Sequence, residues 1–164
     1  MKSDKQQDTG PASSFINGYL AYLLAQVSHS ISAEFHAQAH EAGLSVTEWR
    51  VLSSLMGGSG LTIGELAFLA ITKQPTLSKV VQRMEANGLV ARAEVRADRR
   101  QTRVSLTARG TRLAETLCQQ AMRHQMAVLE PFGEARSAEL MEMLRTLIVL
   151  HVPLPARGED EAAD

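Results

Sequence analysis

Two boxes of the form Ser/Thr-x-x-Glu, Ser45 to Glu48 and Thr62 to Glu65, determine where two helices of this chain begin. In such a box the hydroxyl accepts from the third residue's N–H while the carboxylate returns to the cap's own N–H. Two of the donors that every helix start leaves unpaired are thereby satisfied. Gly57 and Gly58 close the first helix, SVTEWRVLSSL, whose apolar face is Trp49, Val51, Leu52 and Leu55. The second box opens a short helix, TIGELAFLA, with Leu66, Leu69 and Ala70 expected to face inward. Pro75 fits the first turn of a third helix, where its missing N–H costs nothing, and Gly88 after Asn87 fits its stop. Only residues 71–74 remain to join the last two helices, so the connection is tight.

The helix after that turn has two chemically different faces. Leu77, Val80, Val81 and Met84 recur at i, i+3, i+4 and i+7, within one arc of about 100°. Pro75, Thr76, Lys79, Gln82 and Arg83 stand on the opposite arc, with Ser78 at its edge and Gln74 at the start. These are residues that bind phosphates and hydrogen-bond to base edges. Two segments rich in β-branched residues follow, LVARAEV and QTRVSLT, and RADRR between them is expected to form the basic tip of a β-hairpin.

Charge is distributed to match. Residues 73–112 hold ten Lys and Arg against three acids, a net +7, whereas the remainder has seven bases and fifteen acids, a net −8. A concentrated basic stretch is the electrostatic footprint of a polyanion binder. Short helix, tight turn, polar-faced helix and basic hairpin together make a winged helix-turn-helix. A helix of this diameter enters the major groove of B-DNA, while a hairpin tip fits the narrow minor groove. Arg99 is the expected minor-groove side chain, and Arg96, Arg100 and Arg103 are expected at phosphates.

The stretch ELAFLAITKQPTLSKVVQRMEANGLVARAEVRADRRQTRVSLTARG resembles the DNA-binding core of the multiple antibiotic resistance regulator (MarR) family. The likeness runs through GLV at 88–90, DRR at 98–100 and LTARG at 106–110, and GLSVTEWRVLSSL upstream resembles the family's second helix. It covers roughly residues 15–151. The resemblance implies a homodimeric transcription factor, usually a repressor. Its first, fifth and sixth helices would form the dimer, and a small phenolic or other aromatic ligand would lower its DNA affinity. It also implies that Asp98 orients the basic side chains of the wing and that Arg99 or Arg100 enters the minor groove. Where many such turns carry Gly, this chain has Ile71.

The expected fold is therefore mainly α with a small β-hairpin wing. A helix over 15–40 carries a stripe of Ile16, Leu20, Leu23, Val27, Ile31 and Phe35. Thr107 caps a helix over about 108–130 that Pro131 and Gly133 interrupt, and a last helix spans about 134–151. Residues 45–112 form the DNA-binding core, within one unit over 15–151. The helices at 15–40 and 113–151 have more apolar surface than so small a core needs, and symmetric pairing is the commonest way to bury it. The polar stretch 1–13 and the acidic tail 152–164 are expected to be disordered.

Other chemistries find less support. There is no GxSxG, P-loop, HExxH or CxxC, so no catalytic residue is assigned and an enzyme is not expected. His29, His36 and His40 share one side of the first helix, about 160° from its apolar stripe, without the Cys or acidic partners of a closed zinc site. No metal or cofactor is expected. Cys118 sits mid-helix beside Leu117 and reads as a small apolar residue. Trp49 is either core or the wall of a ligand pocket. A redox- or metal-responsive regulator of the same fold, or a winged-helix module that binds protein, are the alternatives. No apolar run reaches the roughly 18 residues that span a bilayer, and MKSDKQQDTGPASS has no signal-peptide core, so a cytoplasmic protein with no membrane partner is expected.

Overall fold

In the computed structural model, which describes residues 15–95 and 98–153, both capping boxes form. Ser45 Oγ accepts from the Glu48 N–H at 3.3 Å and Glu48 Oε2 accepts from the Ser45 N–H at 2.8 Å; Thr62 and Glu65 repeat the exchange at 3.3 and 2.7 Å. The helices they start are α2 (Val46–Leu55) and α3 (Ile63–Leu69). Before them runs α1 (Leu20–Glu41); after them come α4 (Gln74–Ala86), α5 (Ala108–Leu129) and α6 (Gly133–His151). The first helix begins at Leu20 rather than at residue 15, because Gly18 and the extended Tyr19 separate it from a 3-10 turn over Phe15–Gly18. A second 3-10 turn, Glu130–Phe132, contains Pro131 and divides α5 from α6. Thr107 caps α5 as expected, its hydroxyl accepting from the Gly110 N–H at 3.0 Å.

The hairpin pairs β2 (Val90–Val95) with β3 (Asp98–Leu106), antiparallel, in the register Val90 with Leu106 and Arg92 with Val104. Leu61 and Thr62 form a further short strand, β1, against Val104 and Arg103, giving the order β1-β3-β2. Sequence reading missed β1, since two residues carry no alternation. It also began the second strand at Gln101, leaving RADRR as the hairpin tip. Asp98, Arg99 and Arg100 instead begin β3, with Val95 paired to Asp98 across an irregularity at Glu94 and Val95. Hairpins favour short connections, so ladder pairing continues as far as the register allows.

One core unites these elements. Leu52, Leu66, Leu77, Val81, Met84 and Val104 are fully buried, each burial contributing roughly 1.5–3 kcal/mol. α2 lies at the centre, against α1, α3, α4 and α5. Leu69 departs from expectation and is 46% exposed. Leu66, Ala67 and Ala70 form the inward arc of this short helix, and Leu69 lies about 100° from the centre of that arc. Among the described residues no helix is long and apolar enough to cross a membrane. The terminal segments expected to be disordered, 1–13 and most of 152–164, lie outside the described residues.

α3 ends in a 6→1 and 5→2 pair of hydrogen bonds, Thr72 N–H to Ala67 and Ile71 N–H to Phe68. The residue at that position needs a left-handed backbone, and Ile71 adopts φ +54°. A β-branched residue is strained there, and its side chain, 78% exposed, gains little packing in return. Replacing Ile71 with Gly is expected to raise the unfolding free energy by about 1 kcal/mol in urea denaturation. An unchanged midpoint would show that the turn carries no strain.

Candidate nucleic-acid interface

The roll of α4 about its own axis is set from inside. Leu77, Val81 and Met84 are fully buried against α2 and α3, which turns the other arc of the helix outward. Gln74, Pro75, Thr76, Ser78, Lys79, Gln82 and Arg83, the residues singled out in the sequence, are all exposed on α4. Pro75, Thr76, Lys79, Val80 and Arg83 border a shallow groove along it. Pro75 occupies the first turn, as its chemistry requires. The hydroxyls and amides on this face offer both acceptors and donors, and Lys79 adds charge between them.

Two contacts from α2 hold the helix-turn-helix in place. Arg50 Nη1 donates to the Ala70 carbonyl at 3.2 Å, fixing the end of α3. Arg83 Nε donates to Glu48 Oε1 at 3.0 Å, tying α4 to α2. Glu48 is the buried acid of this unit, its side chain 7% exposed, while that of Arg83 is 58% exposed. Burial alone would push the Glu48 carboxyl up; hydrogen bonds from Ser45 and Arg83, with the Arg83 charge, hold it below the usual glutamate value. Sequence reading assigned Glu48 only to the capping box. Its second oxygen serves a residue 35 positions away, for which the spacing holds no signal.

The basic residues of the wing divide into distinct roles. Arg103 Nη1 donates to the Gly60 carbonyl at 2.8 Å, so this side chain fastens β3 to the loop before β1. Arg92 pairs with Glu85 at 2.6 Å, and Arg109 donates to the Asn87 carbonyl at 3.1 Å. Asp98, Arg99 and Arg100 occupy the first three positions of β3, at the far end of the hairpin from the core. Arg96 lies outside the described residues.

On the opposite side of α2 lies an aromatic group. Trp49 is half-buried, its ring 5.0 Å from that of Phe35 in α1, and the Phe35 ring is 6.2 Å from that of His124 in α5. His124 Nε2 and Glu34 Oε2 are 3.0 Å apart, linking α5 to α1. His29 and His40 are exposed and His36 half-buried; burial, and then the charges of Arg50 and His40, lower the pKa of His36. Among the described residues no three His, Cys, Asp or Glu come together as metal ligands. Burial pushes the Cys118 thiol up, the direction opposite to that of a reactive thiolate.

The two ends of the chain form a different kind of surface. Phe15, Tyr19, Leu20, Leu23 and Val27 are each at least 40% exposed, as are Met122 and Met126 on α5 and Ile148, Val149 and Leu150 on α6. No described residue of α6 is buried. Leu20, Leu23 and Val27 repeat with helical spacing along α1, so its exposed apolar side chains form a stripe rather than scattered positions.

The sequence model of the MarR family matches residues 42–101. The HTH-type transcriptional repressor IacR of Pseudomonas putida is 30% identical over 130 residues, covering 79% of this chain and 77% of that protein. The crystal structure of the MarR family transcriptional regulator SPO1453 from Silicibacter pomeroyi DSS-3 is 39% identical, covers 84% of this chain and 98% of that one, and superposes with a TM-score of 0.75. NadR in complex with 4-hydroxyphenylacetate is 25% identical over 84% of this chain and 97% of that one, with a TM-score of 0.73.

Proposed function

The chain belongs to the MarR family of winged helix-turn-helix transcriptional regulators, and we propose that it is a homodimeric repressor that grips a pseudo-palindromic duplex and releases it on binding a small aromatic ligand. The observation that carries the DNA-binding part is the outward face of α4, where six polar or basic residues are exposed opposite the fully buried Leu77, Val81 and Met84. In the groove, Gln74, Thr76, Ser78 and Gln82 read base edges, and Lys79 and Arg83 meet phosphates. Arg99 enters the adjacent minor groove, oriented by Asp98, and Arg96 and Arg100 add phosphate contacts. Arg103 anchors the wing through Gly60 and, being exposed, keeps its other guanidinium nitrogens for a phosphate.

The apolar stripe on α1 and the unburied faces of α5 and α6 support pairing with a second copy. Two α4 helices about 34 Å apart then meet successive turns of the major groove. The Phe35, Trp49 and His124 rings, set between α1, α2 and α5, support an aromatic effector at that junction, and 4-hydroxyphenylacetate, the ligand of NadR, is the first compound to try. Action on chromosomal DNA places the protein in the cytoplasm.

Selecting bound fragments from a randomised duplex pool tests the reading, and enrichment of one palindromic motif is the expected result. On the selected duplex, Lys79→Ala should flatten the dependence of log K on log salt by about one unit, as the loss of one phosphate contact does. An unchanged slope would remove Lys79 from the interface.

A further inference from the structure

Glu48 combines three properties that a capping residue does not need. It is buried and charged, both of its carboxylate oxygens are engaged, and one of them is spent on the exposed face of α4. Oε2 accepts from the Ser45 N–H at 2.8 Å and from the Ser45 hydroxyl at 2.7 Å, which anchors the carboxylate to the start of α2. Oε1 accepts only at the Nε edge of Arg83, at 3.0 Å. A guanidinium is a rigid planar fork, so a partner held at Nε leaves the terminal pair of nitrogens for a second acceptor, and the side chain of Arg83 remains 58% exposed. Arg83 is the last basic residue of α4, one turn beyond Lys79 along the same groove.

We propose that Glu48 is a positioning residue for DNA binding: it holds Arg83 by its Nε edge so that the terminal nitrogens meet a backbone phosphate. This rests on the DNA-binding reading above. The arrangement matches the way bidentate guanidinium contacts gain from being organised before binding, since less side-chain freedom is lost on association. It also runs against simple electrostatics. A carboxylate beside a polyanion repels it, so removing Glu48 would by charge alone tighten binding to every duplex. A loss of affinity on removing it therefore carries a sign that charge cannot supply.

The test uses the full-length protein and a fluorescent duplex that the wild type has selected from a randomised pool, titrated over a series of KCl concentrations. Glu48→Gln keeps a residue able to close the capping box while removing the charge. It should weaken binding about tenfold and lower the salt slope by about one unit, the signature of a single lost phosphate contact. Arg83→Ala should do the same, and adding Glu48→Gln to it should bring no further loss. Arg83→Lys reads the pair from the other side with α2 intact, so it also settles the case if Glu48→Gln does not fold. Lysine can neutralise Glu48 or a phosphate but cannot fork between them, and it should bind no better than Arg83→Ala. Wild-type affinity with Glu48→Gln at an unchanged slope, additive losses in the double variant, or wild-type affinity with Arg83→Lys would each overturn the proposal. Failure of the wild type to retain any duplex would instead remove the DNA-binding reading, and this proposal with it.

Discussion

Aspartate at both Leu20 and Leu23 is expected to convert the protein from dimer to monomer and to weaken its hold on a palindromic duplex by roughly 10²–10⁴-fold, the factor lost when two linked half-site contacts become one. Both side chains are more than 40% exposed on α1, within the stripe that continues through Val27. In a free monomer the substitutions remove little packing, and acids near the start of a helix interact favourably with its dipole. Leu20 is the first residue of α1 and Leu23 lies in the same turn. The folded core over α2 to β3 should therefore be untouched, with an unchanged circular dichroism spectrum and a sedimentation coefficient that falls to the monomer value. In a dimer the same carboxylates would be buried against apolar surface without partners, which is costly. A variant that still sediments as a dimer would move the interface away from α1.

Gly110→Ala is expected to destabilise the fold by about 3 kcal/mol, although helix propensity predicts the opposite sign. Gly110 lies in the first turn of α5, where alanine ordinarily improves a helix by up to about 1 kcal/mol. Here a methyl group at Gly110 would overlap the carbonyl of Leu89. That carbonyl cannot move away freely, because it accepts from the Thr107 N–H at 3.1 Å and the Thr107 hydroxyl at 3.2 Å. The same hydroxyl donates to the Gly88 carbonyl at 2.6 Å. The end of α4, the start of β2 and the cap of α5 thus meet at one point, and overpacking against backbone there forces the elements apart. Urea unfolding would report the loss as a lower midpoint at a similar slope. A gain in stability would mean that α5 can slide along β2 without penalty.

Features closed within one helical turn were legible in the residues alone. The Ser45 and Thr62 boxes, Pro75 in the first turn of α4 and the Thr107 cap all formed as their spacing implied. The outward face of α4 could be read because periodicity fixes which residues share a side once Leu77, Val81 and Met84 are known to be inside. Leu69 escaped the same logic. In a helix of seven residues, one position near the end can belong to either face, and only the neighbours decide. The wing was visible as a basic hairpin, but its register was not: Asp98, Arg99 and Arg100, expected at the tip between the strands, open β3.

The sequence by itself determined the order of the helices and the hairpin, the starts of the capped helices and the polar face of α4, because each depends on residues no more than a few positions apart, which the chain's own connectivity holds together. Packing decided which of the exposed basic residues are tied to a buried acceptor of another element. Arg103 is bound to Gly60 across 43 positions and Arg83 to Glu48 across 35. Those partners share no local pattern; they meet only because burial of the apolar faces of α2, α3 and α4 brings distant segments within hydrogen-bond reach, where a polar group near the core must find a partner or lose its hydration uncompensated.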